Sequence, residues 1–317
     1  MGHMTLFTTR VPQRHCFLPH HGVLRNDKLT TKLRVVFDGS AETSTGVSLN
    51  DTQMVGPTIQ ESLIAILLRF RKHQFCVISD IEDMYRQVLV HDDDKPYQLI
   101  FWRPDTSQEI NIYTLNTVTY GTSSAPYLAI RCLYKVAEEA ENEFPEASQI
   151  IKSDFFVDDL VTGKDDISNI IENCKIVRHL LRMAQFPLRK WASNMPQIVS
   201  AISNNNVENE VINRLSVSVL GMQWVTSSDE ITTKFSLPDI SARFTKRQLL
   251  SHVAELFDPI GLMGPIITYA KIILQTLWSA KLGWDEEVPA EIKRDLVERT
   301  CKYWLVVFYK NTSVCSH

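Results

Sequence analysis

The 317-residue chain is predicted to be α+β, with an antiparallel sheet backed by helices, and three observations predict it. From Phe75 to about Trp224 the pattern runs strands, helix, hairpin, helix, strand. Within it, two adjacent acids interrupt the apolar, β-branched run Phe155-Phe156-Val157-Asp158-Asp159-Leu160-Val161, which reads as a strand-turn-strand hairpin with acids at its tip. A third acid, Asp80, ends the run Phe75-Cys76-Val77-Ile78-Ser79. This order sets the end of one strand beside a neighbouring hairpin, so Asp80 and Asp158 are expected to meet.

Up to about Lys72 the chain has short β-rich runs, Lys32 to Phe37 being the clearest, separated by Gly and Ser turns. Pro57 precedes a predicted helix from about Thr58 to Phe70, with Ile59, Leu63, Ile66 and Leu67 as its apolar stripe. After the strand ending at Asp80, strands are expected around Tyr97 to Trp102 and Ile110 to Leu115. A helix from Ala125 to about Glu143 leads to the hairpin. The next helix carries Ile170, Ile171, Cys174, Val177, Leu180 and Leu181 on one face, and a strand follows from Phe186 to Trp191. A polar linker, Ser203-Asn204-Asn205-Asn206, and another β pair come next. Thr245-Lys246-Arg247-Gln248 has the form of a capping box opening a helix to about Phe257. Asp258-Pro259-Ile260-Gly261 ends it, Pro265 opens a second helix, and a third begins near Pro289.

Formal net charge is −4, so no global basic field points to nucleic acid. Residues 1–75 nonetheless carry nine Lys/Arg against five acids, an excess that suits either a phosphate-tracking surface or an ordinary solvated face. The six cysteines are scattered with no Cys-x-x-Cys pair, as expected of free thiols in a reducing compartment. His15, Cys16, His20 and His21 lack a second Cys/His pair at zinc-finger spacing. No apolar run reaches transmembrane length and the first residues lack a signal-peptide core, so no membrane partner is expected and an intracellular, cytoplasmic location is.

Adjacent carboxylates within a strand pair repel one another. A hard divalent cation such as Mg²⁺, which prefers carboxylate oxygen, would remove that cost. The bland reading is that Asp158 and Asp159 are solvated loop acids and that Asp80 only caps a turn.

Asp80 followed by Tyr85, then Phe156-Val157-Asp158-Asp159, resembles motifs A and C of reverse transcriptases. The wider wording resembles the BEL/Pao group of LTR retrotransposons. It includes Leu33 to Asp38, Ser48-Leu49-Asn50-Asp51, Leu67 to Arg71, Ser79 to Gln87, Val118 to Thr122 and Leu188 to Asn194. The resemblance runs from about His20 to about Pro289. It implies a right-hand polymerase fold: fingers over residues 1–74, a ferredoxin-like palm over 75–225 with inserted fingers strands near 97–115, and a truncated helical thumb or connection over 226–317.

The implied activity is RNA-directed DNA synthesis from dNTPs on a primed RNA or DNA template, using two Mg²⁺ or Mn²⁺ ions. Asp80 and Asp158 would bridge the metals, Asp159 would support the primer-side ion, and the Ile81 backbone carbonyl would add a ligand. Tyr85 corresponds to an aromatic gate against the ribose 2′-hydroxyl, or is simply a core aromatic. Asp83 stands where retroviral enzymes carry Asp and the BEL/Pao pattern often Lys. Arg34 matches the fingers arginine over the incoming triphosphate. Tyr120 and Gly121, with Ala125-Pro126, resemble motif B at the nucleotide site. Lys190 is the candidate acid for the leaving pyrophosphate, with Arg189 competing for that place. Leu220, Gly221, Met222, Gln223 and Trp224 resemble the primer grip, or are an ordinary hairpin.

Two rival readings are a catalytically inactive nucleic-acid-binding remnant and a peptidase, since the family's segment from Phe244 to Glu286 also carries a Pao peptidase name. No Asp-Thr/Ser-Gly occurs in the chain to support the peptidase. In the family, RNase H and integrase lie downstream. Residues 291–317 are too few for a domain with its own core.

Overall fold

Four antiparallel strands make the sheet that carries the acids. The computed structural model describes residues 2–24, 33–203, 216–232, 243–256, 258–259, 261, 263–296 and 298. It divides into two units, residues 1–213 and 214–317.

In the first unit β1 (Met4–Leu6), β2 (His20–Leu24) and β3 (Leu33–Phe37) precede helix α1 (Leu63–Lys72) and strand β4 (Phe75–Ile81). Strands β5 (Leu99–Trp102) and β6 (Asn111–Leu115) follow, then helices α2 (Ala125–Ala140) and α3 (Pro145–Ser153). The hairpin strands are β7 (Phe155–Phe156) and β8 (Asp159–Lys164). Helix α4 (Ile167–Met183), strand β9 (Leu188–Ser193) and helix α5 (Pro196–Ser203) complete the unit. The strand orders are β7-β8-β4-β9, β1-β6-β5 and β2-β3, all antiparallel.

One face of the four-stranded sheet is covered by helices. Val77 and Ile81 of β4, Leu160 of β8 and Trp191 of β9 pack with Ala129 and Leu133 of α2, Ile150 and Ile151 of α3, and Ile170, Cys174, Val177 and Leu181 of α4. Burying such a set is the main driving force for assembling the sheet. A smaller core under the N-terminal strands joins Leu18, Phe37, Leu49, Ile100 and Leu115.

Several elements differ from those the sequence predicts. Helix α1 begins at Leu63, not near Thr58, because Ser62 is its N-cap and accepts from the Ala65 N–H. Tyr97 lies in a 3₁₀ turn, Lys95–Gln98, before β5. The helix from Ala125 stops at Ala140, and α3, absent from the sequence reading, fills the space before the hairpin. Ser203 ends helix α5, also unanticipated, while Asn204 to Asn206 lie outside the described residues.

In the second unit, β10 (Ser216–Val219), β11 (Met222–Val225) and β12 (Glu230–Thr232) form an antiparallel sheet, one strand more than expected. Helices α6 (Lys246–Glu255) and α7 (Gly264–Ser279) follow, and residues 290–296 are helical. The Thr245/Gln248 capping box opens α6 as expected. Its core comprises Phe244, Leu249, Ala270, Ile273, Leu274, Leu277, Val288 and Leu296. Among the described residues no helix is long and apolar enough to cross a membrane.

Candidate active site

Asp80 is the penultimate residue of β4 and pairs directly with Asp159, the first residue of β8. Asp158 occupies the turn between β7 and β8, whose other residue, Val157, has φ +56°. A β-branched residue rarely adopts that conformation. Two hydrogen bonds hold the turn: the Val157 N–H donates to Gln60 Oε1 at 3.1 Å, and the Ile81 N–H donates to the Asp158 carbonyl at 2.8 Å. The end of β4 and the hairpin tip are thereby locked together, and the three carboxylates gather at one end of the sheet.

Their electrostatics follow from that crowding. Burial raises the Asp159 carboxyl to about 7, with the charges of Asp158 and Asp80 adding to the effect. Asp158 is likewise raised by burial and by Asp80, and is partly relieved by Lys190 and Arg34. The Tyr85 phenol is raised by burial and by Asp158. That tyrosine is in the 3₁₀ turn Met84–Gln87 and packs against the helical core, while Asp83, at φ +50°, caps the turn.

Strand β9 carries a bulge opposite β4. Ile78 pairs with Ala192 but Asp80 pairs with Arg189, leaving Lys190 as the extra residue, at φ +57°. Ser79 Oγ donates to the Arg189 carbonyl at 2.7 Å across the bulge. The bulge aims Lys190 at the site, where its ammonium forms an ion pair with Asp80 Oδ2. Arg189 pairs instead with Glu82, Nε to Oε2 at 2.6 Å.

A second group of residues forms a pocket of about 330 Å³ lined by Val23, Arg34, Val36, Phe37, Tyr120 and Gly121. The Arg34 guanidinium carbon lies 5.4 Å from the centre of the Tyr120 ring. The Tyr120 hydroxyl donates to the Val35 carbonyl at 2.7 Å and accepts from Arg86 at 3.2 Å. Gly121 has φ +99°, and a Cβ there would stand 2.3 Å from the Phe37 carbonyl oxygen, so only glycine fits.

The expected primer-grip residues lie in the second unit. Leu220 and Gly221, at φ +47° and +86°, make the two-residue turn between β10 and β11. Met222 and Trp224 are fully buried, and the Trp224 indole N–H donates to Asp229 at 2.8 Å. Gln223 pairs with Ser218 and Thr232 on its neighbouring strands.

Among the described residues, no three His, Cys, Asp or Glu side chains converge closely enough to hold a metal ion as they stand. The donor set still fits a hard divalent cation. Two carboxylates come from adjoining strands and the third from the turn beside them, and Asp80 Oδ1 is buried without a hydrogen-bond partner. The counter-charge on Asp80 is the Lys190 side chain, itself 60% exposed against 21% for Asp80, so the pair is screened and readily opened.

Sequence reasoning assigned no role to Asn50, Gln53, Gln60 or Arg86. Their contacts join residues far apart in the chain, which no local spacing signals.

Residues 245–305 match a family model described as a Pao retrotransposon-like RNaseH-like domain, where the sequence reading expected a peptidase name. Two solved structures share the fold: a foamy viral protease-reverse transcriptase dRH in complex with double-stranded DNA, and a foamy viral protease-reverse transcriptase in complex with an RNA/DNA hybrid. The first has a TM-score of 0.60 at 16% identity, covering 95% of this chain and 45% of that one. The second has a TM-score of 0.59 at 13% identity, covering 95% and 34%. The chain thus spans less than half the length of either of these two solved structures. No curated protein matches it. Residues 27–195, just over half of the chain and the stretch that carries all three acids, match the family model described as reverse transcriptase (RNA-dependent DNA polymerase). The chain belongs to the reverse transcriptase family, with a Pao retrotransposon-like segment following the family's core.

Proposed function

We propose that this chain is the polymerase portion of a retrotransposon reverse transcriptase, transferring nucleotides from dNTPs to the 3′-hydroxyl of a primer annealed to an RNA or DNA template. The observation that carries the proposal is the meeting of Asp80, Asp158 and Asp159 at one end of the sheet, with a buried, unpartnered oxygen on Asp80. Fingers at residues 1–74, palm at 75–225 and thumb or connection at 226–317 belong to the same proposal.

Asp80 and Asp158, supported by Asp159 and the Ile81 carbonyl, would hold two Mg²⁺ or Mn²⁺ ions. Such ions supply a lowered hydroxyl pKa and neutralisation of the leaving oxygens. The remaining roles fall to the chain itself. Arg34 offers a planar, permanently charged donor set to the triphosphate and is held over Tyr120. Tyr85, whose phenol feels the Asp158 charge, would set its ring against a 2′-hydroxyl. Gly121 lets backbone approach the base pair. Lys190, which pairs with Asp80, would on release from it be the proton donor to departing pyrophosphate. Leu220 to Trp224 would position the primer end.

Primer extension with dNTPs on primed RNA and DNA templates tests the reading. Extension with Mg²⁺ or Mn²⁺ that stops on chelation is the expected result. Duplex binding without extension under any metal would establish the inactive remnant instead.

A further inference from the structure

We propose that Asn50 and Gln53 form a two-amide clamp that holds residues 121–124 and so positions Tyr120 and Gly121, the pocket wall facing Arg34, for the incoming nucleotide. The proposal rests on the polymerase reading above and assigns these side chains a positioning role, with no contact to the reacting atoms.

The clamp begins with a stiff turn. Asp51 accepts from the Ser48 N–H at 2.9 Å and from the Ser48 hydroxyl at 2.7 Å. Thr52 donates to the Leu49 carbonyl at 2.7 Å, and the Asn50 N–H to the Gly39 carbonyl at 2.9 Å. From this turn the Asn50 amide reaches two separate chain segments. Its Nδ2 donates to the Gly121 carbonyl at 3.1 Å and to Ser40 Oγ at 2.8 Å, while its Oδ1 accepts from the Ser123 N–H at 2.8 Å. One residue past Ser123, Gln53 Oε1 accepts from the Ser124 N–H at 3.3 Å and from the Ser124 hydroxyl at 3.2 Å. Ser124 is the N-cap of α2 and its own side chain makes no capping bond, so the fingers turn supplies acceptors that the helix start lacks.

Steric fit makes the arrangement specific. A Cβ on Gly39 would meet the Gly121 carbonyl at 2.6 Å and Asn50 Oδ1 at 2.8 Å, and Gly121 itself is pressed on Phe37. Phe37 and Gly121 both line the pocket. The Asn50 bonds therefore set how far apart two pocket walls stand. Both donor and acceptor are needed, which an amide of this length provides and a carboxylate or a longer glutamine does not.

The test pairs steady-state kinetics with amide hydrogen exchange on the full chain. Asn50→Ala should raise KM for dNTP about tenfold while changing kcat less than about threefold, since ground-state positioning is what it removes. Asn50→Asp keeps the acceptor for Ser123 but cannot donate to Gly121, and should raise KM by a similar factor. Exchange should accelerate at Ser123 in Asn50→Ala, at Ser124 in Gln53→Ala, and at Ser123 not at all in Asn50→Asp. A merely structural role would lower the active fraction with KM unchanged. An unchanged KM in an extending Asn50→Ala enzyme, or unchanged exchange at Ser123, overturns the clamp. A parent protein that extends no primer overturns the polymerase reading instead, and exchange then decides the clamp alone.

Discussion

Tyr85 illustrates how much depends on a single side chain. It sits five residues after Asp80, and burial together with the Asp158 charge raises its phenol. Replacing it with Val should open room under the sugar and shift the kcat/KM ratio towards ribonucleotides, without general loss of activity. An unchanged ratio in an active variant would remove Tyr85 from the site. Lys190 is the complementary case, because its ammonium stands in for a cation on Asp80. Lys190→Gln should lower the Tm of the metal-free protein and also lower the Mg²⁺ concentration giving half of the maximal Tm shift. About two- to fivefold is the size that a screened ion pair supports. A higher Mg²⁺ requirement in the variant would mean that lysine and metal do not compete. The acids themselves were legible in the sequence because a charged pair interrupts an apolar run. The aim of Lys190 was not legible, since it depends on a bulge fixed by pairing with a distant strand.

At the scale of elements, legibility tracks how local the cause is. The β7–β8 turn and the capping box of α6 are written in a few consecutive residues, and both were readable. The start of α1 was misread because Ile59 continues the apolar stripe, whereas Gln60 is engaged by the Val157 amide and Ser62 caps the helix. Ser62→Ala should therefore cost about 1 kcal/mol, measured by chemical denaturation. Thr58→Ala, five residues before the first helical position, should cost far less. Equal costs would show that the helix extends to Thr58 after all. Helix α3 escaped notice because it is short and hides a polar residue on its buried side: Ser148 Oγ donates to the Ala137 carbonyl of α2 at 2.8 Å. A buried serine breaks the apolar stripe on which periodicity relies.

For the whole molecule, the family's core and the segment after it pose separate questions. The segment's RNaseH-like description raises the question of RNA cleavage, and four of its acids are engaged structurally. Asp285 holds Arg247 at 2.8 and 3.0 Å, Glu286 accepts from the Gly283 N–H at 2.8 Å, Glu287 pairs with Lys293 at 2.6 Å, and Asp295 accepts from Tyr269. Acids engaged in this way tie helices and loops together, and an end-labelled RNA–DNA hybrid incubated with the protein and Mg²⁺ should keep its RNA strand intact. Cleavage that persists in an Asp158→Asn variant would reverse that assignment. In the first unit β4 and the hairpin bring three carboxylates together. Whether they carry the chemistry is read from single-nucleotide extension of a bound primer, measured for the parent and for Asp158→Asn at equal duplex occupancy. Removing one of these acids should slow the chemical step by about a hundredfold or more and leave duplex affinity largely unchanged. An Asp158→Asn protein that extends as fast as its parent would contradict the account.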